Sequence, residues 1–356
     1  MPITQDTETC LNFSSDYLEG AHPAILEKLA QTNLDQTSGY GTDPYCASAA
    51  RKILEACGAP DGEVYFLAGG TQANAVVIDA LLAPYQGVLC AASGHISVHE
   101  AGAIESNGHK VLALPQQDGK ITAAALEEAA RSYHEDANRD HMVMPGLVYL
   151  SQPTEYGTLY SLEELTAISR VCRAYGMKLY IDGARLAYAL ASPANDVTLP
   201  DLARLCDVFY IGGTKCGALI GEAVVIAHRG LIPHFFSLIK QHGALLAKGR
   251  LLGIQFDVLF TDSLYQRIGE NAIRSARRLS EILTGCGLPL ASDSPTNQVF
   301  VTLDDALLQR LEKRVGVSFW EKPDEHHTTV RLAASWATRP EAVEALQGVL
   351  EEIMEP

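Results

Sequence analysis

Positive charge is scarce in this chain: 27 Lys and Arg stand against 43 Asp and Glu, a formal net charge of -16 over 356 residues. That balance excludes a generic nucleic-acid or anionic-membrane binder, which needs a basic face, so any anionic ligand must be held by a few placed basic groups. Paired cysteines are lacking as well. The eight cysteines sit singly at 10, 46, 57, 90, 172, 206, 216 and 286, with no CxxC spacing, which indicates neither a zinc site nor a disulfide framework but reduced, packed thiols. No apolar run approaches the ~18 residues that cross a bilayer. The opening MPITQDTETC also lacks a basic stretch followed by an apolar one, so the expectation is a cytoplasmic protein without a membrane partner. Internal repeats, low-complexity segments and long linkers are absent too.

What is present is an ordinary globular composition, 47% hydrophobic and 20% charged. Single cores stop growing at roughly 250 to 300 residues, so the length suggests two domains. To about residue 230, short β-rich runs alternate with helical stretches: EVYFLAGG then TQANAVVIDALLAPY, GHKVLAL then TAAALEEAARSYHED, GLVYLSQP then SLEELTAISRVCRAYG, KLYIDG then ARLAYALAS. This alternation predicts an α/β fold with a mostly parallel sheet between helices. Ser161 and Glu164 form a capping-box pattern, and Thr122 is a candidate N-cap. Helix-rich sequence, two strand candidates (QVFVTL and TTVRLAASW) and a last helix then predict a smaller α+β domain from near residue 255.

FYIGGTKCGALIGEAVVI, residues 209–226, carries Lys215 between two apolar runs. An isolated ammonium in a low-dielectric pocket is costly, so this lysine sits on a solvated hairpin turn or has a chemical use. Two other segments bear on the choice. In LAGGTQANAVVIDALL, Gly69, Gly70 and Thr71 lie at a strand-to-helix turn, where free N–H groups and the helix dipole favour a phosphate, although a plain Thr N-cap would read the same way. KLYIDGARLAYAL ends a buried strand on Asp182, followed by Arg185; ligands of open α/β sheets bind beyond the carboxyl ends of strands, while the alternative is a capping Asp. Phosphate cradle, strand-end carboxylate and strand-end lysine together are what pyridoxal phosphate requires: a lysine for its Schiff base, a carboxylate for its ring nitrogen and donors for its phosphate.

The segments SSDYLEGAHP, YGTDPY, GGTQAN, GHISVHEAGAIES, YIDGARL, GGTK and VRLAASWAT, in this order over nearly the full length, resemble the threonine aldolase family of fold-type-I pyridoxal-phosphate enzymes. The resemblance implies a large cofactor domain over residues 21–254, a small C-terminal domain over 255–356, and an N-terminal segment, 1–20, at the active site. It implies that Lys215 holds the cofactor, that Asp182 meets its ring nitrogen, that Gly70, Thr71 and Thr214 contact phosphate, and that His95 stacks on the ring. Arg185 would lie near the phenolic oxygen and, with Arg331 and Ser15, bind the substrate carboxylate. Tyr40 and Asp43 match a segment near a neighbouring subunit's site, and Arg250 matches an arginine that reaches phosphate across the interface, so a homodimer or homotetramer is implied. His95 and His99 could instead be read as a metal pair, but HISVH is not HExxH and no metal is expected. His99 otherwise reads as a helix-face residue.

One position departs from the family: where many members carry a histidine near the substrate hydroxyl, this chain has Glu155. A desolvated carboxylate could act as the base of retro-aldol cleavage, or the change could mark another reaction, or Glu155 could be a solvated turn residue. The leading expectation is cleavage of a β-hydroxy-α-amino acid of the threonine or allo-threonine type to glycine and an aldehyde. β-Elimination, racemisation or transamination on the same scaffold is the alternative. A non-catalytic amino-acid-binding protein is the third.

Overall fold

The computed structural model describes residues 11–355. The first ten positions of the N-terminal segment, Cys10 included, lie outside the described residues. The strands in chain order are β1 (Leu11–Asn12), β2 (Glu63–Leu67), β3 (Gln86–Ala91), β4 (Lys110–Leu114), β5 (Met144–Ser151), β6 (Lys178–Asp182), β7 (Val208–Gly212), β8 (Glu222–Ile226), β9 (Gln298–Asp304), β10 (Val315–Gly316), β11 (Ser318–Glu321) and β12 (His327–Ala333).

Seven of them form one sheet in the order β2-β8-β7-β6-β5-β3-β4. Every pairing is parallel except those of β8, which runs antiparallel to both β2 and β7. A strand covered on both faces is apolar on both, and alternate residues go to opposite sides. Thus Phe209 and Ile211 of β7 enter one core while Val208 and Tyr210 enter the other. The helices that cover the sheet start as the sequence predicts: the Ser161 and Glu164 capping box opens the helix Leu162–Ala174, and Thr122 caps Ala123–Glu135. The sequence pattern does not announce β3, QGVLCA, which inserts between β5 and β4, nor the short strands β1, β10 and β11.

A third core gathers Phe13, the second half of the helix Leu264–Gly285, strands β9 and β12 of the sheet β11-β12-β9 and the last helix, Pro340–Met354. β1 pairs in parallel with β10, and the stretch that follows reaches the large sheet where Asp16 meets Arg185 past β6. Among the described residues seven cysteines are free thiols, and no helix is long and apolar enough to cross a membrane.

Candidate active site

Strands β3, β5, β6 and β7 run parallel, so their carboxyl ends share one edge of the sheet, and antiparallel β8 brings its first residue, Glu222, to that edge opposite Gly212 of β7 and Leu67 of β2. Residues just past these ends face one another across a cavity of about 270 Å³: Gly70 and Thr71 after β2, His95 after β3, Glu155 after β5, Asp182 and Arg185 at the end of β6, Thr214 and Lys215 after β7. A larger cavity, about 640 Å³, shares Tyr17, His95, Glu155, Arg185 and Lys215 and adds His99, Trp320 and Arg331. Two glycines let β6 and β7 come close enough for this: a Cβ on Gly183 would lie 2.1 Å from the Tyr210 carbonyl oxygen, and one on Gly212 2.2 Å from that of Ala184.

Asp182 is buried, yet it accepts hydrogen bonds from Tyr149 Oη at 2.6 Å, Asn74 Nδ2 at 3.1 Å, the Ala184 N–H at 2.9 Å and Tyr210 Oη. Burial alone would raise its pKa; the His95 charge and these donors outweigh burial and hold the carboxyl below its ordinary value. An ionised carboxylate facing a cavity can pair with a cationic ring nitrogen. Lys215 has no ion-pair partner among the described residues, and burial together with the Arg185 charge lowers its pKa, against the pull of Asp16, Asp182 and Glu222. That raises the share of neutral, nucleophilic amine. The helix Gly70–Leu81 begins without a side-chain cap, its N-cap position being Gly69 in an extended conformation. Thr71 is therefore the second helical residue and not the cap that the sequence allowed, and the first N–H groups are left for an anion.

His95 Nδ1 lies 2.7 Å from Glu100 Oε1, which also accepts from Asn74 Nδ2 at 2.7 Å. Asn74 thus ties the partner of His95 to Asp182 through one buried amide. The sequence alone assigns no role to Glu100 or Asn74, although both lie within the motifs GHISVHEAGAIES and GGTQAN. His99, read as a helix-face residue, lines the larger cavity 5.7 Å from the His95 ring. Glu155 is no solvated turn residue: its Oε1 accepts from Ser151 Oγ at 2.7 Å and from the His95 N–H at 2.9 Å. Burial raises its pKa, with those hydrogen bonds working against the rise.

Arg185 differs from expectation. Its Nε and Nη2 form a two-pronged ion pair with fully buried Asp16, at 2.6 and 3.1 Å, so most of its fork is committed before any substrate binds. Burial would raise the Asp16 carboxyl, but Arg185 and Lys215 lower it to about 2. Arg331 is less committed: Nη1 donates to Gln298 Oε1 at 3.0 Å and Nη2 to the Ser14 carbonyl at 3.3 Å, while Nε is buried without a partner, as is Ser15 Oγ. These orphaned donors suit a carboxylate.

Three residues do not join this cluster within one chain. Asp43 caps the helix Pro44–Ala56 through the Tyr45 and Cys46 N–H groups. Tyr40 lies under Lys240 Nζ in a separate cavity, and Arg250 donates to the Asp35 and Thr32 carbonyls across the Tyr45 ring. An ionised carboxylate, a depressed lysine, an uncapped helix start and orphaned donors fit pyridoxal phosphate and an amino-acid substrate.

Residues 12–306 match the family described as beta-eliminating lyase. The low specificity L-threonine aldolase of Pseudomonas aeruginosa is 33% identical over 98% of this chain and 99% of its own. A solved structure of Leishmania major threonine aldolase superposes with a TM-score of 0.91 at 44% identity, covering 96% of this chain and 98% of that one. The aspartate aminotransferase of Thermus thermophilus shares the fold, with a TM-score of 0.70 at 17% identity over 97% and 92% of the two chains. The edge-on cluster and these likenesses agree, and the chain belongs to the beta-eliminating lyase family, among the threonine aldolases, a family of pyridoxal-phosphate-dependent lyases.

Proposed function

We propose that this protein cleaves a β-hydroxy-α-amino acid of the L-threonine type to glycine and an aldehyde, with pyridoxal phosphate as its cofactor. The observation that carries the reading is buried, ionised Asp182 with its polar donors, facing unpaired Lys215 across one cavity. Asp182 would meet the ring nitrogen, Lys215 would tether the cofactor, and Gly70, Thr71 and Thr214 would hold the phosphate. When bound, the cofactor supplies a ring that accepts the electron pair left as the Cα–Cβ bond breaks.

The protein's own groups do the rest. Arg331 Nε and Ser15 Oγ orient the substrate carboxylate, with Arg185 contributing what Asp16 leaves of its fork. His95, its Nδ1 taken by Glu100, covers the cavity with its ring. Glu155 takes the proton from the β-hydroxyl, a role that its raised pKa and its position on both cavities support. Fixing the substrate so that the scissile bond is the one weakened is a large part of such catalysis.

A two-unit organisation, 21–254 and 255–356, is supported by the separate third core. However, residue 254 falls inside the helix Arg250–Leu259, and the cores change over within the helix Leu264–Gly285. The free thiols fit a cytoplasmic location. The test is purified protein with added pyridoxal phosphate, its visible spectrum followed by L-threonine addition and acetaldehyde measurement beside Lys215→Ala. Wild type should gain a visible band and release acetaldehyde with glycine; Lys215→Ala should do neither. Pyruvate and ammonia in place of acetaldehyde would turn the reading to β-elimination.

A further inference from the structure

Glu222 is a second charged residue inside an apolar run, and the mechanism above makes no use of it. It is 4% exposed and begins β8, where its backbone is paired on one side with Leu67 and on the other with Gly212. Those two neighbours lead, within three residues, to Gly70 and to Thr214, the two segments read as the phosphate cradle. Its Oε2 accepts from the Gly213 N–H at 3.0 Å, and the side chain lines the 270 Å³ cavity together with Gly69, Gly70, Thr71 and Thr214. No ion pair forms at Glu222 among the described residues, and the opposing charge that acts on it is that of Lys215. A fixed carboxylate beside a cradle made of neutral N–H and O–H donors would repel the anion that the cradle is built to take.

We propose that Glu222 is a proton-holding member of the cofactor's phosphate site: the protonated carboxyl admits the phosphate and donates to it, the carboxylate excludes it, and loading is linked to uptake of one proton. The inference rests on the cofactor reading above. Burial pushes the Glu222 carboxyl up to about 8, against hydrogen bonds from the Thr214 hydroxyl and Gly213 N–H and the Lys215 charge. Thr214 gains from the same protonation. Its oxygen already accepts from the Gly221 N–H, so its single proton goes either to a Glu222 carboxylate or to the phosphate. The titratable groups acting on Glu222 or acted on by it are Lys215 and Cys216 past β7, Tyr210 on β7, Asp182 and Tyr180 on β6, and Tyr265 on the packed helix Leu264–Gly285. The three tyrosines are raised well above their ordinary value and Cys216 is raised to about 12, and Asp182 is held low, so among these only Lys215 can share the change near neutral pH.

The test uses the full chain freed of cofactor and two probes without an aldehyde, pyridoxine 5′-phosphate and pyridoxine, so that Lys215 forms no bond to either. The ratio of their affinities cancels ring titration and isolates the phosphate, whose own second ionisation, with a pKa of about 6, is essentially complete by pH 7.5. In wild type this ratio should fall about tenfold per pH unit above pH ~8, as linkage to one proton requires. In Glu222→Gln, with an unchanged melting profile as the check on folding, the ratio should stay high and, beyond the share that Lys215 carries in both proteins, flat from pH 7.5 to 9.5, a range set by the value of about 8 for Glu222. Calorimetry of wild type alone in buffers of different ionisation enthalpy should show uptake of about one extra proton with the phosphorylated probe above that pH. A flat wild-type ratio, no extra proton, or a variant that keeps the wild-type slope overturns the role of Glu222 and leaves the cofactor reading standing. Failure of both proteins to bind either probe at any pH overturns the cofactor reading, and this inference with it.

Discussion

Glu155 and Lys215 are opposite departures from ordinary ionisation, and burial causes both: it raises the carboxyl and lowers the ammonium. A base must be ionised to accept the β-hydroxyl proton. Because Glu155 has its folded pKa raised, activity is present above that value and is lost as pH falls through it, so the acid limb of kcat should lie above the ordinary carboxylate range. Glu155→Gln keeps the acceptor for the His95 N–H but cannot take a proton. We expect kcat for acetaldehyde release to fall by about 10²–10⁴-fold, the usual worth of a positioned base, and the acid limb assigned to Glu155 to vanish. A variant with wild-type kcat and an unchanged pH profile would remove Glu155 from the chemistry. Asp16 works at the same scale with the reverse sign: the buried Arg185 guanidinium, foremost among the charges acting on it, holds it ionised into acid, so Arg185 stays committed.

At the scale of elements, the approach of β6 to β7 decides whether Asp182, Arg185 and Lys215 share a cavity. Gly183 accepts the Gly212 N–H at 2.9 Å, and a Cβ at Gly183 would strike the Tyr210 carbonyl oxygen, a backbone atom that cannot rotate away. Gly183→Ala should therefore part the two strand ends. Since displacement by about 1 Å can cost about 100-fold in rate, kcat/KM should fall by at least that while the circular dichroism spectrum stays native. Full activity in that variant would mean that the turn gives way at no cost to the site.

Much at this scale was legible in sequence: the strand-helix alternation, the Ser161 box, the Thr122 cap and the motif residues at strand ends all rest on local patterns. What stayed hidden depends on pairing between distant segments. QGVLCA has neither polar–apolar alternation nor an aromatic residue to announce β3, and nothing local says that β8 inserts between β2 and β7. Arg185 is claimed by an aspartate 169 positions away, and Asn74 joins two carboxylates from distant segments, Glu100 after β3 and Asp182 at the end of β6. Glu222 did carry a signal, the same charge in an apolar run that singled out Lys215, but its use depends on which two strands flank it.

At the scale of the whole molecule, Tyr40 and Arg250 lie away from the Lys215 cavity of their own chain. A matching arginine that serves phosphate across an interface would make each site the joint property of two subunits, which a mixing experiment can read. Homomers of Lys215→Ala and of Arg250→Ala are each prepared weakly active or inactive, then dissociated, mixed in equal amounts and reassembled. In a two-fold dimer every hybrid then holds one site with an intact lysine from one subunit and an intact arginine from the other, so about a quarter of all sites should regain wild-type turnover. If Arg250 acts only within its own chain, as its hold on the Thr32 and Asp35 carbonyls would allow, no hybrid site is complete and mixing restores nothing. The restored fraction of acetaldehyde-forming activity, measured against each variant reassembled alone, separates a shared site from a private one without any structure of the assembly.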